Sequence, residues 1–113
     1  LQPNQNPNAP GMFTKHYAPK TPLYVVNDVN YFLEVNNFSS VVFIGFNKRI
    51  NHDSVTHQLL LSSNGDVEEA ASKLYSTLIK ADAFKADAIL VEWFENKNLG
   101  MSINDRLKRA SSK

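Results

Sequence analysis

The run Val41-Val42-Phe43-Ile44-Gly45-Phe46 constrains this chain more than any other stretch. Six residues without one polar side chain suit a strand covered on both faces, and such strands belong to parallel sheets flanked by helices. What surrounds it has the spacing of that architecture. Leu23-Tyr24-Val25-Val26 is a short run of strand formers closed by Asn27-Asp28, and Asp28 can cap a short helix carrying Val29, Phe32 and Leu33 as far as Asn36. Asn47 to Ser54 is polar and turn-like. Gln58-Leu59-Leu60-Leu61 reads as a third strand, followed by the turn and cap residues Ser62-Ser63-Asn64-Gly65.

The next helix is the best defined. Asp66 and Glu69 make an Asp-x-x-Glu capping box, and Val67, Ala70, Ala71, Leu74, Tyr75, Leu78 and Ile79 recur at the spacing of one apolar face. It fades between Asp82 and Lys85. Ala88 to Phe94 is a fourth strand, and Leu99-Gly100-Met101 turns into a last helix capped by Ser102, with Ile103, Leu107 and Ala110 as its stripe. The order strand, helix, strand, strand, helix, strand, helix predicts an α/β domain: a Rossmann-like, open, mostly parallel sheet of about four strands with helices on both faces. The expected strand order is 3-2-1-4 with the Val41 strand inside. The connection between the second and third strands is about ten residues, near the lower limit for a crossover, so an antiparallel hairpin is an alternative there.

Residues 1–22 read as an extended, proline-rich linker and residues 23–113 as the domain. Pro3, Pro7, Pro10, Pro19 and Pro22 forbid a helix through the head, and the chain starts at Leu1 with a composition that buries nothing, which predicts a further segment upstream. Within the linker Lys15, His16 and Tyr17 put two cationic or potentially cationic groups beside an aromatic hydroxyl, a set suited to an anionic ligand or to another domain's surface; its plain reading is a solvated tether.

Net charge is +1 in 113 residues, so the chain has no basic surface for direct nucleic-acid binding. There is no cysteine, and His16, His52 and His57 are not spaced as metal ligands, so neither a metal site nor a catalytic set is expected on this chain. No apolar run has the ~18 residues of a membrane span and no signal peptide is visible, which predicts a soluble, cytoplasmic protein. A Gly-x-Gly-x-x-Gly or phosphate loop is lacking, so the fold brings no nucleotide fingerprint. Glu92 stands apart, a carboxylate inside the apolar fourth strand at its C-terminal end, the edge where open α/β sheets collect ligands; the alternative is a solvated strand-end carboxylate.

Pro10-Gly11-Met12 followed by Lys15-His16-Tyr17-Ala18-Pro19 resembles the linker signature Pro-Gly-Met-Lys-Tyr-Arg-His-Tyr-Ala-Pro of the two-domain L-threonylcarbamoyladenylate synthase family. The helix with Asp66, Glu69, Ala70-Ala71, Leu74-Tyr75, Leu78 and Asp82 is similar to that family's acidic-start helix. Leu99-Gly100 with Asn104, Arg106-Leu107 and Ala110 is similar to its closing helix. Phe13, Thr14 and Lys15 depart from the pattern, and lysine in place of arginine keeps the charge but loses the planar fork.

The resemblance implies a partner on the same polypeptide, an N-terminal YrdC-type catalytic domain that joins threonine, bicarbonate and ATP, with Mg, into threonylcarbamoyl-AMP and pyrophosphate for tRNA modification. This chain would then be an accessory lid, part of a nucleotidyltransferase but inactive alone and without a cofactor of its own, with Lys15, His16 and Tyr17 meeting the ligand at the pocket mouth. Without its catalytic domain, Tyr17 is expected to be poorly anchored. The residues leave two other readings open, an autonomous nucleotide- or anion-binding module and a purely structural interaction domain.

Overall fold

The computed structural model describes residues 17–111. Lys15 and His16, and the expectations that rest on them, lie outside the described residues. Four strands, β1 (Leu23–Val26), β2 (Val41–Gly45), β3 (Val55–Leu60) and β4 (Ala88–Glu92), alternate with three helices, α1 (Val29–Val35), α2 (Val67–Ala83) and α3 (Leu99–Ala110). They form one sheet in the order β1-β4-β2-β3, and each neighbouring pair is parallel.

β2 is inside, as its uniform apolarity requires, but the expected order 3-2-1-4 is not what forms: β4 lies between β2 and β1. The physical reason is visible in burial. Ala88, Ile89, Leu90 and Val91 are all buried, as a strand with two neighbours and two covered faces must be, whereas Tyr24, Val25 and Val26 of β1 are only half-buried.

Side chains alternate across the sheet. Val42, Ile44, Ile89 and Val91 meet Ala70, Leu74, Leu78, Ile103 and Leu107 of α2 and α3 on one face. Val41, Phe43, Ala88 and Leu90 meet Val29 and Leu33 of α1 on the other. Tyr24, Phe32 and Phe38 close that second face with ring centroids 5.3–6.2 Å apart.

The link from β2 to β3 is a parallel crossover without a helix, not a hairpin. Its backbone is satisfied in place of a helix by Gln58, whose amide accepts from Ile50 N at 2.9 Å and donates to Ile50 O at 2.7 Å. β3 begins at Val55, ahead of the expected Gln58, because Thr56 and His57 lie exposed on an edge strand and carry no apolar signal.

Helix α1 starts where Asp28 accepts from Tyr31 N at 3.0 Å. At α2 Asp66 accepts from Glu68 N and Glu69 N, but Glu69 does not reach back to Asp66. Ser62 stands between them: its hydroxyl accepts from Asp66 N at 2.9 Å and donates to the Glu69 carboxylate at 2.5 Å. Helix α3 begins at Leu99, three residues before the expected cap Ser102. Its actual N-cap, Asn98, has φ 53° and ψ −133° and makes no side-chain capping bond, so the sequence offers no capping signature there.

Candidate functional site

Two places on the sheet gather polar chemistry, one at each end of the strands. At the C-terminal end lies a cavity of about 520 Å³. One wall is Phe46, Asn47 and Lys48, where the chain leaves β2; the second is Glu92 to Glu95, where it leaves β4; the first turns of α2 and α3 complete it with Val67 and with Lys97 to Gly100. The Phe46 and Phe94 rings meet at 4.9 Å and 52°.

Chain geometry opens this space. Gly45 and Gly100 both lie so close to backbone carbonyls, those of Lys48 and Glu95, that a Cβ at either would collide with them. Asn104, only 9% exposed, reaches from α3 to hold the wall: its amide accepts from Phe94 N at 2.8 Å and donates to Phe94 O at 2.9 Å, replacing the strand neighbour that β4 has lost by that point.

Glu92 sits on this cavity. It has no hydrogen-bond or ion-pair partner among the described residues. Partial desolvation, and after it the charge of Asp28, push its carboxyl above the usual carboxylate range. Lys97 is held by Glu95 at 3.6 Å, both exposed, and Lys48 has no ion-pair partner among the described residues.

At the N-terminal end of the strands the linker is fastened to the domain. Asp82, in the last turn of α2, accepts four hydrogen bonds: from the Tyr17 hydroxyl at 2.8 Å, Lys20 N at 3.0 Å, Thr21 N at 2.9 Å and Thr21 Oγ1 at 2.8 Å. Desolvation alone would raise the Asp82 pKa, but the backbone and hydroxyl donors outweigh it and hold the carboxyl down at about 2. Burial, then the hydrogen bond to Asp82 and its charge, push the Tyr17 hydroxyl up to about 12.

The Tyr17 ring also packs against the core on the α2 side of the sheet. The expectation that Tyr17 is poorly anchored without a catalytic domain is therefore overturned: its partner is within this chain. Tyr17 and Glu92, the two described residues singled out in the sequence, are not brought together, since one belongs to each end of the strands. Asp82 as the linker's anchor was missed. Its signal is an acid in the last turn of a helix, where the macrodipole disfavours negative charge and some compensating donor set is needed.

Residues 2–112 match the family of threonylcarbamoyl-AMP synthase C-terminal domains. The chain belongs to that family. It is 30% identical over 109 residues to a threonylcarbamoyl-AMP synthase of Pyrococcus abyssi (strain GE5 / Orsay), a match covering 91% of this chain and 32% of the relative. Its fold is similar to the crystal structure of P. abyssi Sua5 complexed with L-threonine, with a TM-score of 0.63 and 29% identity, covering 85% of this chain and 29% of that one. The chain thus spans about a third of the length of these relatives. Among the described residues no helix is long and apolar enough to cross a membrane.

Proposed function

We propose that this chain is the accessory domain and linker of a two-domain threonylcarbamoyl-AMP synthase. The activation of threonine and bicarbonate with ATP and Mg, for tRNA threonylcarbamoyladenosine, takes place in an upstream YrdC-type domain of the same cytoplasmic polypeptide. The observation that carries this reading is the Asp82 anchor in a chain of that family. It holds the root of the linker, Tyr17 to Thr21, on the domain, as an arm that closes over a neighbouring pocket requires. An arm tethered at its root loses less conformational freedom on closing than a free one, which suits a lid that must exclude water from a labile acyl-adenylate. The chain alone makes no threonylcarbamoyl-AMP in this reading.

The Tyr17 hydroxyl can donate to a ligand oxygen only by giving up Asp82, so its two donor roles are separable. In the full-length enzyme Tyr17→Phe, Tyr17→Ala and Asp82→Asn are compared by steady-state rates and ATP affinity. If the hydroxyl serves the anchor, Tyr17→Phe and Asp82→Asn lower the rate alike; if it meets the nucleotide, Tyr17→Phe weakens ATP binding and Asp82→Asn does not. Unchanged kinetics in all three variants would leave the arm a passive tether and overturn the lid.

A further inference from the structure

The cavity lies at the opposite end of the strands from the Asp82 anchor, and its chemistry asks for an occupant of its own. We propose that it binds a nucleoside, a flat ring system carrying neighbouring hydroxyl donors and no phosphate, with the ring against Phe46, Phe94 and Trp93 and the hydroxyls on Glu92. Its volume of about 520 Å³ is within the range of small-molecule pockets. Its apolar part is largely aromatic: the paired rings of Phe46 and Phe94 and the 37%-exposed indole of Trp93 offer faces on which a planar heterocycle can stack.

Glu92 supplies the polar contact. An ionised carboxylate is acceptor-only, and this one, at the exposed C-terminal end of β4, lines the cavity with no donor among the described residues, so it is free to accept from two adjacent hydroxyls. Phosphate is disfavoured by the same wall. Glu92 and Glu95 line the space and the charge of Asp28 acts on Glu92, while of the two lining lysines Lys97 is already paired with Glu95, leaving Lys48. The helix starts that could cradle an anion are occupied. Asp66 caps α2 with its own carboxylate; at α3, Gly100 N donates to Lys97 O and Met101 N to Asn98 O. Asn98, on the rim, holds a backbone conformation that side chains rarely adopt, the kind of strain that collects at ligand sites.

Trp93 is the one tryptophan of these 113 residues and lines the cavity, so the fluorescence of the 113-residue chain reports a ligand that enters it. Titrating the 113-residue chain with adenosine should give a saturable change in emission with a Kd on the order of 0.1–1 mM, and AMP should bind at least about fivefold more weakly. Glu92→Gln should weaken adenosine about tenfold. 2′,3′-Dideoxyadenosine should lose the same factor on the parent chain and nothing further on Glu92→Gln, which assigns the hydroxyls to Glu92 without relying on the variant alone. No saturation with adenosine, tighter binding of AMP than of adenosine, or dideoxyadenosine bound as well as adenosine by the parent chain would each overturn the proposal.

Discussion

Asp82 and Glu92, at opposite ends of the strands, are used in opposite ways. At the N-terminal end Asp82 collects four donors, and Asp87 accepts from Ser39 N at 2.9 Å and Ser40 N at 3.1 Å. These acids act as glue between segments distant in sequence. At the C-terminal end Glu92 is left without a partner among the described residues, Asn98 caps nothing with its side chain, and aromatic rings face a cavity. A polar group that is fully bonded within the chain has its binding capacity used up, and one that is left unbonded beside a cavity keeps it. The first edge is a fastening and the second a receptacle.

The strongest way to break that distinction is Asp82→Ala. It strands four donors and should cost about 3 kcal/mol by chemical denaturation. Amide exchange at Lys20 and Thr21 should rise sharply while Trp93 emission stays where it was. A shift in Trp93 would mean that the two edges are one unit.

Acid tests the same fastening without mutation. Because folding lowers the Asp82 pKa from 3.8 to about 2, its contribution is complete above pH 3.8 and drains away as pH falls through about 2. Tyr17 works in the other direction: its pKa is raised from 10.0 to about 12, so its contribution is complete below pH 10.0 and is lost as pH rises through about 12. The stability difference between the parent chain and Asp82→Asn should therefore be flat between these limits and shrink below pH 3.8. A difference that keeps its size at pH 2 would show that the charge of Asp82 is not what binds the donors.

At the other edge Asn104→Ala removes both bonds to Phe94 and should cost about 2 kcal/mol. Here Trp93 emission should move and Lys20 exchange should not, the reverse of Asp82→Ala. The smallest effect is a gain: Asn98→Gly relieves the positive φ and should add up to about 1 kcal/mol, read from the denaturation midpoint.

Much of the frame was legible because apolar periodicity states burial directly. Val41 to Phe46 and the stripe from Val67 to Leu78 announced a covered strand and its covering helix, and Asp28 and Asp66 marked helix starts that form as read. Strand order went wrong at β4, where Ala88-Ile89-Leu90-Val91 satisfies the same criterion as β2 and equally calls for an interior place. The α3 boundary was hidden because Asn98 starts the helix through an uncommon backbone geometry and not through a capping side chain.

At the candidate site Glu92 stood out as a charge in an apolar run, and the structure puts it on the cavity. The Asn104 clamp was illegible because it is made to backbone groups, which leave no mark in a sequence, and the Asp82 anchor showed only as an acid at a helix C-terminus, with no sign of the donors it gathers. Tyr17 looked free because its partner is a side chain 65 positions away.

The place of β4 has a consequence for how the chain comes together. β2 and β3 can pair as soon as both exist, but β1 pairs only with β4, so Leu23 must wait for Ile89. On a ribosome, where residues appear from the N-terminus, the strand at the root of the linker stays without a neighbour until most of the domain has been made. Its closure over so long a loop is among the late and entropically costly contacts. Quality control follows from that order of assembly. A chain truncated before Ala88 keeps Asp82 but loses the strand that joins β1 to the rest of the sheet.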